Sequence, residues 1–253
     1  MKPWSSAEFS RLQAVDFVLT DVDDTLTNGG QLESPTLNAL ERLARAEIKV
    51  VPVTAASAGW GSLIASMWPV AAVIAENGGV SFERSAIGLE RHLFDDPARA
   101  DRDRLMTALQ AAFPDLQPAL DAPYRQTCLA FQRYSNPQDN QRILNFLNSH
   151  GANGTVNSMW ILAWFGTRDK FKASSRLLTS RFGVRPDDFA ARVLYAGDSE
   201  NDEVMFQALP LSVGVSTVRH HALKNWPTWI TDGPGGPGFV EIADRLIAAK
   251  AAL

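Results

Sequence analysis

Short apolar runs alternate with helix-length apolar stripes over most of this chain. Val15 to Thr20 is the first run, rich in β-branched and aromatic residues, as in a strand buried on both faces. It stops at the acidic, small-residue stretch Asp21 to Gly30. Ser34-Pro35 reads as an N-cap with proline at the first helical position, and Leu37, Leu40, Leu43 and Ala44 supply the apolar stripe of that helix. Ile48 to Val53 reads as a second strand and Ser57 to Met67 as a helix. Val70 to Ala75 reads as a third strand, closed by Glu76-Asn77-Gly78-Gly79. Such alternation predicts a parallel sheet joined by right-handed crossovers. The rhythm resumes later: helix at 173–182, strand at 192–196, helix at 202–209, short strands at 211–215 and 228–231, and a closing helix at 239–252.

The middle has a different texture. Residues 98–113 and 138–149 are helical in pattern, 126–134 is strand-like, and 155–159 with 161–165 suggest a hairpin or adjacent strands. Long helices beside paired strands predict an α+β layer. The expected fold is therefore α/β: a doubly wound, Rossmann-like parallel sheet made by 1–83 with 167–253, interrupted by an α+β cap at 84–166.

Composition narrows the function classes. The 253 residues are 45% hydrophobic and 21% charged with a net charge of −4, which fits an ordinary enzyme and lacks the basic footprint of a nucleic-acid binder. Residues 84–166 hold eight arginines, no lysine and eight acidic residues, so the negative charge lies in the core. Cys128 stands alone, which excludes an internal disulfide framework and a cysteine zinc cage, and its apolar run suggests a buried small residue. Met1 to Ser6 carries no signal-type apolar stretch, and the run Val70 to Ala75 falls far short of the ~20 residues that cross a bilayer. The expectation is a cytoplasmic protein, monomer or homodimer, acting on a small molecule away from membranes and nucleic acid.

The chemistry sits in two acidic clusters. Asp21-Val22-Asp23-Asp24-Thr25-Leu26-Thr27 directly follows the first buried strand, and Gly197-Asp198-Ser199-Glu200-Asn201-Asp202 follows the strand ending at Ala196. Open parallel sheets bind ligands beyond the carboxyl ends of their strands. If the two strands are neighbours, Asp21, Asp23, Asp198 and Asp202 converge, and packed carboxylates repel unless they hold protons or a cation. An all-oxygen acidic set favours magnesium, Mg2+. An Asp-x-Asp pair alone is as often a solvated turn; its position after a buried strand, repeated after a second one, makes the catalytic reading.

In these residues the chain resembles the haloacid dehalogenase superfamily of aspartate-nucleophile phosphatases. Asp21-Val22-Asp23-Asp24-Thr25 is similar to the first motif, Thr54 to the second, Lys170 to the third, and Gly197 to Asp202 to the fourth. Glu76-Asn77-Gly78-Gly79 resembles a stretch common in the subgroup with a large cap after the third strand, which includes the Cof-type and sugar-phosphate phosphatases. The resemblance implies a Mg2+-dependent phosphohydrolase acting on a small metabolite, with sugar phosphates the first expectation. It implies Asp21 as nucleophile, Asp23 as general acid and base, and Mg2+ held by Asp21, Asp23 through its carbonyl, and Asp198. Thr54 and Lys170 would hold phosphoryl oxygens, with Ala55, Asn77, Asn201 and Asp202 completing the phosphate and substrate site. Arg133, Asn157, Ser158 and Trp160 are the cap residues expected to select the substrate.

Two departures from the pattern stand out. Phe171 follows Lys170 where glycine is usual, so Lys172 is a rival for the third motif; Ala173 at three positions on favours Lys170. Thr54-Ala55-Ala56 replaces the Thr-Gly-Arg of many relatives, leaving no arginine there for substrate. A phosphosugar mutase of the same superfamily and a catalytically silent binding homologue are the alternative readings. Gly233 to Gly238 matches Gly-x-Gly-x-x-Gly only formally, since Pro234 and Pro237 remove two backbone donors. His220-His221 has no partner at metal-ligand spacing, and Trp160 with Trp164 reads as packing first and substrate contact second.

Overall fold

The computed structural model describes residues 1–94, 99–157 and 159–252. Ser158 and the start of the first cap helix at Ala98 lie outside the described residues. The strands are β1 (Lys2–Pro3), β2 (Phe17–Thr20), β3 (Lys49–Pro52), β4 (Ala72–Ala75), β5 (Val80–Ser85), β6 (Gly88–Leu93), β7 (Leu129–Gln132), β8 (Asn153–Val156), β9 (Trp160–Trp164), β10 (Val193–Gly197), β11 (Ser212–Gly214) and β12 (Trp229–Ile230). The α-helices are α1 (Phe9–Leu12), α2 (Ser34–Arg45), α3 (Ala58–Met67), α4 (Arg99–Ala112), α5 (Pro137–Ser149), α6 (Lys170–Phe182), α7 (Phe189–Arg192), α8 (Glu203–Ala208) and α9 (Gly235–Ala251).

Among the described residues a six-stranded parallel sheet runs β1-β12-β11-β10-β2-β3. β2 lies inside the sheet between β10 and β3, and all four of its residues are buried, because helices cover both faces. One face packs against α2, α3 and α9 through Val18, Leu40, Leu43, Ile242 and Leu246. The other packs against α6 and α8 through Leu19, Val51, Leu177, Tyr195 and Met205. The expected doubly wound architecture is present.

Local elements differ from the sequence pattern in instructive ways. β4 touches the parallel sheet through the single bridge Val53↔Ile74 and otherwise pairs antiparallel with β5, which pairs with β6. The sequence pattern missed this hairpin, because charged Glu83, Arg84, Glu90 and Arg91 dilute its alternation. The position taken for an N-cap, Ser34, is already helical; Glu33 precedes the helix without a side-chain cap bond. α6 starts at Lys170, one turn earlier than its apolar stripe suggests, because Asp169 caps it by accepting from the Lys172 amide. The Gly-Pro run at 233–238 is a loop that ends in a helix start, with Pro234 at the N-cap and α9 beginning at Gly235, four residues before the expected 239.

The insert builds a second antiparallel sheet, β7-β9-β8, backed by α4 and α5 through Leu109, Phe131, Ile143, Leu147 and Ile161. Its opposite face turns to the core: Ala119, Ala130 and Leu162 pack on Ala55, with Trp160 and Trp164 at the margin. No helix among the described residues is long and apolar enough to cross a membrane.

Candidate active site

The register of the central strands brings the acidic clusters together. β2 and β10 pair with Thr20 opposite Ala196, and the Asp21 amide continues the ladder by donating to the Ala196 carbonyl. The chain then turns tightly: the Thr25, Leu26 and Thr27 amides all donate to the Val22 carbonyl, and Asp24 takes a left-handed conformation at φ 56°. Val22 and Leu26 plug this loop into the core below. Asp21 thus leaves the end of a buried strand, and Asp23 stands two residues on, exposed to solvent. The turn rests on the sheet and not on solvent, so the geometry is preorganised.

Lys170 Nζ is the hub. It donates to Asp21 Oδ1 at 2.8 Å, Asp202 Oδ1 at 2.7 Å and Asn201 Oδ1 at 3.2 Å. Burial alone would lower its pKa, but Asp202 and Asp21 outweigh burial and hold it above the ordinary lysine range. The two candidate lysines are placed differently: Lys170 is buried among the carboxylates, whereas Lys172 is exposed and bonds the Thr167 carbonyl.

Asp202 is saturated by protein. Its Oδ1 takes Lys170 and the Tyr195 hydroxyl at 2.5 Å, and its Oδ2 takes the Asp198 and Ser199 amides at 2.9 and 3.1 Å. It therefore positions Lys170 and the Asp198 loop. Asp21, Asp198 and Asp202 each place a carboxylate oxygen within 4.8 Å of the others. Against these three carboxylates stands the single ammonium of Lys170. Burial, reinforced by Asp202, Asp198 and Asp23 and opposed by Lys170, drives the Asp21 pKa well up. Burial and Asp202, opposed by Lys170, push the Asp198 pKa up to about 7. This excess of negative charge fits a divalent cation between Asp21 and Asp198. Thr25 Oγ1 donates to Asp198 Oδ1 at 3.4 Å and orients it.

Asp23 keeps contact with solvent, yet the surrounding protein strips enough water to raise its pKa, with Asp24 and the cap residue Asp121 adding to the rise and Lys170 opposing it. A carboxyl raised in this way can hold a proton for a leaving group.

Thr54 follows β3, the strand beside β2. The Asn77 amide donates to the Thr54 carbonyl at 3.0 Å, and Glu76 binds the Ala56 carbonyl at 3.0 Å, so the Glu76-Asn77 corner braces the Thr54–Ser57 loop. Glu76 and Asn77 are both left-handed, at φ 53° and 52°. Gly78 completes the corner because a Cβ there would lie 2.7 Å from the Asp169 carbonyl oxygen, at the start of α6. Asn77 Oδ1 is buried without a protein partner, an amide left for a ligand.

The cap candidates separate. Trp160 packs near Ala55, at the edge of the site. Asn157 shapes the β8–β9 turn by accepting from the Met159 and Trp160 amides at 2.9 and 2.6 Å, and Arg133 donates to its carbonyl at 3.3 Å. No hydrogen bond among the described residues joins Arg133 or Asn157 to the acidic cluster. Sequence reasoning missed Tyr195, Thr25, Glu76 and Arg125. A hydroxyl inside a buried strand and a carboxylate directly after another were the available signals. Arg125 is reachable only in space: it grips Asp121 with two nitrogens and donates to the Ala55 carbonyl at 3.1 Å.

No family profile matches the chain. A curated phosphoglycolate phosphatase of Methanothrix thermoacetophila is 25% identical over 245 residues, covering 93% of this chain and 98% of its own length. A solved Thermoplasma acidophilum protein superposes with a TM-score of 0.75 at 19% identity, covering 92% of this chain and 98% of that one. A Bacteroides thetaiotaomicron phosphatase of the haloalkanoate (HAD) superfamily superposes at 0.68 with 16% identity, covering 97% and 98%. The chain thus shares the fold of a haloacid dehalogenase-type phosphatase and is similar over nearly its whole length to a curated phosphatase. Its acidic cluster suits a divalent metal.

Proposed function

We propose that this chain is a Mg2+-dependent hydrolase of small phosphorylated metabolites, sugar phosphates first, working through an aspartyl-phosphate on Asp21. The observation that carries the reading is Lys170 bridging Asp21 and Asp202 while Asp198 lies within 4.8 Å of both. Asp21 attacks phosphorus, the bond to the substrate oxygen breaks, and Asp23 gives that oxygen its proton. Asp23 then takes a proton from the water that attacks the same phosphorus, and the bond to Asp21 breaks to release phosphate. Lys170, the Thr54 hydroxyl and the Asn77 side-chain NH2 hold phosphoryl oxygens as charge shifts; Ala55 walls the pocket, and Asn201 steadies Lys170. Mg2+, held by Asp21, the Asp23 carbonyl and Asp198, would shield the phosphate charge so that a carboxylate can approach it.

The core at 1–83 and 167–253 and the cap at 84–166 are carried into this proposal with one refinement. The 83/84 boundary falls inside β5, so the β5–β6 hairpin goes with the core to which β4 ties it. The curated relative's name adds phosphoglycolate as a substrate to test beside sugar phosphates.

The test is phosphate release from a panel of both classes, with Mg2+ or with EDTA. Release that stops in EDTA supports the reading; isomerised product without free phosphate would mark a mutase, and binding without turnover a silent homologue. Asp23→Asn is expected to slow release from alkyl phosphates by about 10²- to 10⁴-fold. Its effect on aryl phosphates, whose leaving groups need no proton, is smaller, and equal losses would remove Asp23 from the acid role.

The cation also leaves a pH signature. An unfolded aspartate titrates at the ordinary 3.8, while Asp198 in the metal-free fold is raised to about 7. Through that window the folded state holds the extra proton, so stability falls as pH rises and the ionised cluster becomes a cost. Mg2+ binds the ionised form. Its stabilisation, measured by thermal unfolding, is expected to be larger at about pH 8 than at about pH 5. Equal shifts would separate the cation from this cluster.

A further inference from the structure

Glu76 is a buried carboxylate that the chemistry above does not use. Its side chain lies between core and cap at 2% exposure and accepts five hydrogen bonds. Oε1 takes the Ala58 amide, at the start of α3, at 2.9 Å and the Gln126 amide at 2.8 Å. Oε2 takes the Thr127 amide and hydroxyl, both at 2.7 Å, and the Cys128 amide at 3.0 Å. Three successive backbone donors of the cap segment leading into β7 thus converge on one core anion, a backbone nest filled from inside the protein. Bonds to an ionised acceptor are shorter and stronger than neutral ones, so this is a directional tie.

The surroundings are shaped for the same contact. A Cβ at Gly79 would fall 1.9 Å from Thr127 Oγ1, so the missing side chain lets the cap segment close on the corner. Arg168 donates to the Thr127 carbonyl at 2.6 Å, and Arg125 to the Ala55 carbonyl at 3.1 Å. The residue that holds the cap segment therefore also braces the Thr54–Ser57 loop, through the Ala58 amide on its side chain and the Ala56 carbonyl on its backbone.

We propose that Glu76 is a positioning residue that seats the cap on the active site, coupling the Gln126–Cys128 segment to the Thr54–Ser57 loop without touching substrate or cation. Its kinetic consequence rests on the phosphatase reading; the seat itself does not. Cys128 supplies an independent reporter. It is the chain's one cysteine, buried in this seam, and burial first, then Glu76, pushes its thiol pKa up to about 12, so it is unreactive while the seam is shut.

The experiment uses the full chain with Mg2+ and compares Glu76→Gln, Glu76→Asp and Thr127→Val with the parent. Glutamine keeps the shape but turns an NH2 against backbone N–H groups; valine removes only the hydroxyl bond. In folded Glu76→Gln, kcat/KM for the best metabolite of the panel is expected to fall about 100-fold, the scale of a small misplacement of reacting groups. The loss exceeds that for a nitrophenyl phosphate, because the cap contributes less to so reactive a substrate, and the Mg2+ concentration for half-maximal activity stays unchanged. Labelling of Cys128 by an aromatic disulfide accelerates about tenfold or more, since it tracks opening of the seam. Glu76→Asp, which keeps the charge, recovers part of both.

Labelling at the parent rate in folded Glu76→Gln would overturn the proposal, as would an unaltered preference for metabolite over aryl phosphate. Should Glu76→Gln fail to fold, Thr127→Val decides by the same two readouts, with smaller changes in the same direction expected and none overturning it. A parent protein inactive on every phosphomonoester would sink the hydrolase reading, while the labelling arm would still judge the seat.

Discussion

Asp21→Asn is expected to leave the protein folded and to cut phosphate release by about 10⁴-fold or more, the scale of losing an attacking group. Asparagine is nearly isosteric and carries no anion to attack phosphorus. Folding survives because the change acts in two opposing ways. It weakens one contact of Lys170, which keeps Asp202 at 2.7 Å and Asn201 at 3.2 Å. It also removes a carboxylate whose own pKa is driven up by burial first and by Asp202, Asp198 and Asp23 in addition, so an ionised group is no longer held there at a cost. The thermal midpoint without Mg2+ is therefore expected to hold or rise, with the binding of Mg2+ weakened. Turnover above about a tenth of the parent rate would place the nucleophile elsewhere.

Lys170→Met carries the second large effect, and it falls on stability as well as rate. Methionine fills a similar volume, but Asp21 and Asp202 then face each other with no cation between them. Breaking a buried pair by removing one partner costs about 3–5 kcal/mol, because the other charge stays buried and uncompensated. Lys170 is held above the ordinary lysine range, so its contribution persists through neutral pH and is lost only at strongly alkaline pH. The remaining carboxylates can relieve the strain by taking up protons. The stability gap between variant and parent, read from urea unfolding, is expected to narrow as pH falls from about 8 to about 5 and to shrink on adding Mg2+. A midpoint unchanged at neutral pH would mean that Lys170 is not the counter-charge of this cluster.

Much of the core was legible in one dimension because burial on both faces leaves a plain mark. Val15 to Thr20 read as a strand buried on both faces, and acidic residues directly after it as standing at a ligand-binding edge. Asp21, Asp198, Asp202 and Lys170 do meet, because the register of β2 against β10 and the early start of α6 bring distant segments to one point. The cap was less legible. Its strands are short and partly polar, and what matters in them is which face meets the core. Arg133 and Asn157 look equal to Trp160 in sequence, yet they build a turn while Trp160 packs by Ala55.

The sequence by itself determined the alternation of strands and helices, the acidic ends of two buried strands and the presence of an insert. Each is recorded in local burial and local charge, which a run of neighbouring residues can carry. Only the tertiary structure decided that Lys170 and not Lys172 is the hub, that Asp202 is saturated by protein donors, and that Glu76 joins core to cap. The Lys170 and Glu76 ties are hydrogen bonds between residues tens to more than a hundred positions apart, and Asp202 takes Lys170 in the same way beside its nearer donors. Such bonds exist only after the sheet has closed and excluded water, and no local pattern of hydrophobic and polar residues encodes them.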